Sequence, residues 1–192
     1  MTKGKNSPYG TLYLSTSAVI AALYVELTLP FAQIAQGPVQ FRLAEIMVVL
    51  PILTPAAIPG LAIGCFLANL LSPSSLGVID VVFGTIATLI SAVLTRLIFQ
   101  KARRISETKR SIAALFPPVL VNALIVGTYL PFIIPAYGQI TGALVAMSIL
   151  YVGLSETLVV YAIGLPFLLV LKKTGISSIW QKSNNQNPKL NK

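Results

Sequence analysis

The length of its apolar runs constrains this chain more than any other feature. A helix crosses a hydrocarbon layer with about 20 predominantly apolar residues. The stretches from about Thr11 to Ala32, Gly77 to Phe99, Ile112 to Ile134 and Gly142 to Leu171 meet that requirement. Two further runs, from about Phe41 to Leu53 and then past Pro55 and Pro59 to Leu71, are short for spans. One of these two is expected to be tilted, broken or partly re-entrant, which lipid tolerates only where protein covers the backbone. The expectation is an all-α integral membrane protein with six transmembrane helices in 192 residues. It has an N-terminal tail (1–10), a six-helix domain (11–173) and a basic polar tail (174–192) whose Asn, Ser and Lys content predicts disorder. The first run lacks a small-x-small cleavage site and reads as a retained helix.

With 55% hydrophobic and 10% charged residues, the composition lies outside that of a soluble domain. A net charge of +9 would suggest nucleic acid in a soluble protein, but here the basic residues fall almost wholly outside the apolar runs. Lys3 and Lys5 precede the first run. Arg96, Lys101, Arg103, Arg104, Lys109 and Arg110 lie between the fourth and fifth, and Lys172, Lys173 and Lys182 follow the sixth. An even number of spans puts all three groups on one side, which the positive-inside rule makes the cytoplasm, with both termini there. The absence of histidine and the single cysteine, Cys65, exclude a disulfide framework, the usual metal sites and histidine-based triads. Cys65 reads as a buried structural thiol. No phosphate-binding Gly-rich loop is present, so energy for uphill transport must come from a partner or an ion gradient.

Polar residues inside a membrane are costly, so their positions carry the functional information. Glu26 falls in the outer half of helix one, Arg42 and Glu45 at the outer start of helix two, Asn69 at the outer end of helix three and Asp80 at the outer start of helix four. Asn122 and Glu156 fall near mid-depth on helices five and six. The inner halves hold mostly Ser, Thr and small apolar residues, an asymmetry that suits a solute site open to the outside better than a pore. Purely structural roles stand beside this reading. Asp80 suits the dipole of a helix first turn, Arg42 and Glu45 are spaced to pair, Glu26 can snorkel and Asn122 can bond a neighbouring helix. Glu156, far from either end of its helix, needs a partner. Helix one also carries Ala18-x-x-x-Ala22, offset by one from Ser17-x-x-x-Ala21, a small-residue strip for packing within the chain or against a partner.

Several ordered segments carry a family resemblance. They are Gln40-Phe41-Arg42-Leu43-Ala44-Glu45, Pro55-Ala56-Ala57-Ile58-Pro59-Gly60, and Gly64-Cys65-Phe66-Leu67-Ala68-Asn69-Leu70-Leu71. Asp80-Val81-Val82-Phe83-Gly84-Thr85-Ile86-Ala87-Thr88-Leu89 and Val121-Asn122-Ala123-Leu124-Ile125-Val126-Gly127 follow, then Glu156. Together they resemble the QueT family of queuosine-precursor transporters over roughly residues 10 to 172. The resemblance implies the substrate-specific S component of an energy-coupling-factor (ECF) transporter, a multi-pass subunit of the bacterial cell membrane. Its implied partners are a transmembrane coupling protein (EcfT-like) and two ATP-binding-cassette ATPases, which use the ATP; this chain would bind no cofactor and no metal. It further implies that Ala18 and Ala22 contact the coupling protein, and that transport proceeds by toppling of the whole subunit.

The implied substrate is a queuosine precursor, a 7-deazaguanine base. Its N1–H and exocyclic amine suit a carboxylate acceptor, Glu156 or Glu45, and its carbonyl needs a donor such as Asn122 or Arg42. Asn69 suits either edge. Phe41, Phe83 and Tyr137 are candidates to stack on the ring, though interfacial aromatics also serve as belt or core. Asp80 or Glu26 would pair with an aminomethyl cation. The Ser72-Pro73-Ser74-Ser75 loop departs from the family, where more glycine is expected. Other readings are an S component for another vitamin, such as riboflavin, folate or biotin, and a partner-free permease. An intramembrane enzyme would need a nucleophile with its base, or a metal cluster, and neither is recognisable. A scaffold would leave Glu156 unexplained.

Overall fold

The computed structural model describes residues 10–32, 42–73, 76–134 and 139–175. Lys3, Lys5, the Gln-rich loop with Phe41, Ser74, Ser75, Tyr137, Lys182 and nearly all of the basic tail lie outside the described residues. The described residues form helices: α1 (Thr11–Thr28), a 3₁₀ helix (Leu43–Ile52), α2 (Ala57–Leu71), α3 (Val78–Lys101), α4 (Glu107–Ala114), α5 (Phe116–Ile133), α6 (Gly142–Thr157), a π-helical segment (Leu158–Gly164) and α7 (Leu165–Lys173). Four continuous helical stretches, Thr11–Phe31, Val78–Lys101, Glu107–Ile133 and Gly142–Lys173, are long and apolar enough to cross a membrane. Leu43–Ile52 and Ala57–Leu71 are shorter apolar helices. Large apolar side chains such as Leu14, Val19, Leu124, Phe132, Leu154 and Val170 point outward, as lipid-facing surface does.

The irregularities have local causes. The expected short second run is a 3₁₀ helix of 10 residues containing Pro51. At about 2.0 Å rise per residue it extends further than an α-helix of equal length, yet still falls short of a bilayer core. Eight of its residues are buried, so neighbouring helices shield its backbone from lipid. Helix five begins earlier than its apolar run, at Glu107, and turns at Leu115, where Pro117 and Pro118 remove two donors. The last helix is interrupted by the π segment, directly before Pro166, which cannot donate back into the preceding turn. Arg96 and Lys101, assigned from sequence to the loop after span four, belong instead to α3. Arg96 donates to the Pro51 carbonyl at 3.0 Å.

Small residues set the packing. α1 packs on α2, α2 on α3, α3 on α5 and α5 on α6, while the 3₁₀ helix lies against α1, α3 and the π segment and so fills the space between the first and last spans. A Cβ on Gly60 would come within 2.8 Å of the Ser17 carbonyl oxygen, and one on Gly64 within 2.6 Å of Tyr24 Cβ. A Cβ on Gly127 would lie 2.6 Å from the Ile149 Cα. These glycines permit the close backbone approach on which helix association in lipid depends. Of the two overlapping strips on helix one, Ser17 and Ala21 are buried against α2, whereas Ala18 and Ala22 are exposed.

Candidate functional site

The polar residues of the apolar interior gather into two adjoining groups. The first is centred on Asp80, in the opening turn of α3. Arg42, just before the 3₁₀ helix, donates from Nη2 to Asp80 Oδ1 at 2.9 Å, and the Tyr129 hydroxyl of α5 donates to the same oxygen at 2.6 Å. Asn69, near the end of α2, donates to the Asp80 backbone carbonyl at 3.2 Å. Gly84 makes room for this group: a Cβ there would sit 2.9 Å from the Asn69 side-chain nitrogen and 3.5 Å from an Arg42 nitrogen. Arg42 therefore pairs with Asp80 rather than with Glu45, three residues on, because the backbone at Arg42 is extended and the next turn is 3₁₀ rather than α-helical. Asp80 is thus held by side chains from the segment before the 3₁₀ helix and from α5.

The second group contains the two other buried carboxyl groups. Tyr24 of α1 donates to Glu45 Oε1 at 2.7 Å, and Asn122 of α5 donates to Glu156 Oε1 at 2.9 Å. Glu45 lies close enough to Glu156 to act on it as a like charge, and Arg42 is the countercharge common to both. Glu156 stands at the end of α6, two residues before the π segment, where single-turn π insertions often accompany functional residues. Gly164, at the far end of that segment, has Val49 and Ile46 of the 3₁₀ helix within reach of any added Cβ. The π segment that follows Glu156 and the helix carrying Glu45 are thereby pressed together.

Among the described residues, Arg42 Nε, Glu45 Oε2, Asp80 Oδ2 and Asn122 Oδ1 are buried with no hydrogen-bond partner. A buried polar atom left unpaired costs about 1–3 kcal/mol, so four in adjoining groups describe a site prepared for something else. Three buried carboxyl groups face a single arginine here. The excess calls for a proton, a cation or a ligand rich in donors.

The structure thus brings together Arg42, Glu45, Asn69, Asp80, Asn122 and Glu156. Phe83 is half-exposed beside them, its ring centroid 6.0 Å from that of Tyr129. Glu26 does not join them: it is exposed on the outer face of α1 and lines a groove of about 430 Å³ with Ala18 and Ala22. Phe41 and Tyr137 lie outside the described residues. Tyr24 and Tyr129 were missed in the sequence reading. Tyr129 follows Asn122 by seven residues, two turns along one face, and a tyrosine hydroxyl within an apolar helix needs an acceptor. Cys65 is buried and free, and accepts from the Thr88 hydroxyl at 3.3 Å.

The model of the QueT transporter family matches residues 14–173, a stretch that contains both groups and the exposed alanines. The chain belongs to the QueT transporter family. It is also similar to the queuosine precursor transporter QueT of Lactococcus lactis subsp. cremoris (strain MG1363), 34% identical over 93 residues. That alignment covers 47% of this chain and 53% of the relative, so the chain spans about half the length of the curated protein it matches. No solved structure matches it. QueT members are transporters and not enzymes, and with its four long apolar helices this one is a multi-pass protein of the bacterial cell membrane.

Proposed function

We propose that this chain is the substrate-capturing S component of an ECF-type importer for a queuosine precursor, a 7-deazaguanine base. The observation that carries the reading is the excess of buried carboxyl groups over arginine, with open acceptors on Glu45 and Asn122. A 7-deazaguanine presents N1–H and an exocyclic amine side by side, and an aminomethyl substituent would add a cation. Glu156 and Glu45 are the acceptors for these donors, Asn122 orients Glu156, and the Arg42–Asp80 pair forms the wall of the site. Arg42 Nη2 is engaged by Asp80, so the ligand carbonyl falls to the Arg42 Nε, which is buried with no partner.

In the proposed topology the two short apolar helices also cross the membrane, giving six crossings with both termini cytoplasmic. Two features support the placement of the basic ends on one side and of Asp80 on the other. Lys172, near the end of the last helix, bridges Glu107 at the start of α4, so the basic ends of these elements meet. Asp80 and Lys101 lie at opposite ends of α3, a helix of 24 residues and about 36 Å. The Asp80 end of the bundle then lies toward the outside while the basic end faces the cytoplasm. The exposed Ala18–Ala22 strip is the face offered to the membrane coupling protein, with Glu26 one turn further along it, and the two ATPases attach through that partner.

Titration calorimetry of the detergent-solubilised protein tests the binding step without partners, using 7-deazaguanine with and without an aminomethyl group, and riboflavin and biotin as controls. Saturable binding of the deazaguanines alone is expected. Preference for riboflavin or biotin would refute the substrate assignment.

A further inference from the structure

At the basic end of the molecule, away from the carboxylate site, α4, the end of α3, the end of the 3₁₀ helix and α7 line a half-open pocket of about 440 Å³. Arg110, Lys172 and Lys173 line it against a single carboxylate, Glu107. The Arg110 guanidinium lies 3.8 Å above the Phe99 ring, and the Lys172 ammonium lies 5.3 Å from the same ring. Both cations are thus positioned by a side chain that cannot neutralise them. Arg110 Nε is buried and has no partner. Lys172 donates to the Ser111 hydroxyl at 3.1 Å and bridges Glu107 at 2.8 Å. Glu107 is 64% exposed while Lys172 is 19% exposed, so the carboxylate is the partner that water can take back. Leu53 and Leu169 supply an apolar wall beside the charges.

We infer that this cavity binds the phosphate of an anionic phospholipid, with Arg110 and Lys172 on the phosphate oxygens and the acyl chains along the Leu53 and Leu169 wall. Two cations flanking a basic helix end, with buried Leu53 and half-exposed Leu169 beside them, match the chemistry of an anionic headgroup with its acyl chains better than that of a free anion. Glu107 holds Lys172 in place until the headgroup displaces it. The site is independent of the substrate assignment.

Native mass spectrometry of the full-length protein in detergent tests this, with phosphatidylglycerol, phosphatidylcholine and glycerol 3-phosphate as probes. Phosphatidylglycerol is expected to bind about tenfold more tightly than phosphatidylcholine, a preference lost in Arg110→Gln/Lys172→Gln. Glu107→Gln, which removes the competing carboxylate, is expected to raise phosphatidylglycerol affinity about fivefold, and the exposed Lys173→Gln to lower it by a smaller factor. Equal retention of the two lipids, or unchanged affinity in Glu107→Gln, would overturn the inference. Displacement of phosphatidylglycerol by millimolar glycerol 3-phosphate would mark a free-phosphate site and overturn the lipid assignment.

Discussion

The two polar groups of the interior use the same residue types for opposite ends. Around Asp80 the charges are matched: one arginine, one carboxylate, a tyrosine and an asparagine, with two donors on one carboxylate oxygen. Around Glu45 and Glu156 they are mismatched, with two carboxyl groups near each other and one neutral donor apiece. A matched buried pair makes structure, because removing either member strands the other in a medium that cannot solvate it. A mismatched pair stores an unmet demand, which a ligand can answer. Substitutions in the first group should therefore cost stability, and those in the second should cost binding.

The largest effect is expected from Asp80→Asn, which leaves Arg42 buried without its anion and should destabilise the protein by about 3–5 kcal/mol. The measurement is the thermal midpoint of the monodisperse detergent-solubilised protein. The double variant Arg42→Met/Asp80→Leu should recover only part of that loss: neither member of the pair is then stranded, but Glu45 and Glu156 lose their common countercharge. Next comes Glu156→Gln, expected to weaken deazaguanine binding by about 1.5–3 kcal/mol in calorimetry. Its thermal midpoint should be unchanged or raised, because glutamine keeps an acceptor for Asn122 and removes an ionisable group beside Glu45. A large fall in stability with intact binding would erase the distinction between the groups. Tyr129→Phe should cost about 1 kcal/mol of stability, since Asp80 keeps its arginine, and should leave binding nearly unaltered. The smallest change is expected from Phe83→Leu, half-exposed at the edge of the site. It should leave stability within about 0.5 kcal/mol and lower affinity only if its ring touches the ligand.

Much of the site was legible because polar atoms in lipid have few excuses. Glu156 needed a partner and has Asn122; Asp80, Arg42, Glu45 and Asn69 converge as their shared placement near one end of the helices suggested. Glu26 was read with them for the same reason, but depth along a helix says nothing about facing, and its position one turn beyond Ala22 turns it outward. The Arg42–Glu45 pairing failed because spacing rules for α-helices do not hold where the segment is extended and then 3₁₀. Tyr24 and Tyr129 were passed over because aromatic residues in spans are usually core or belt, and only their neighbours across helices reveal hydroxyls bonded to carboxylates.

By itself the sequence determined the solvent of this protein, its all-helical architecture and the short list of costly residues. Each follows from local quantities: apolar run length, basic flanks, and the price of charge in hydrocarbon. Tertiary structure decided which charges pair and which remain unmet, and where the helices break into 3₁₀ and π turns. It also decided which of two overlapping strips on helix one is left exposed. These outcomes depend on which helix meets which, and they are set by glycines at contacts between segments far apart in the chain.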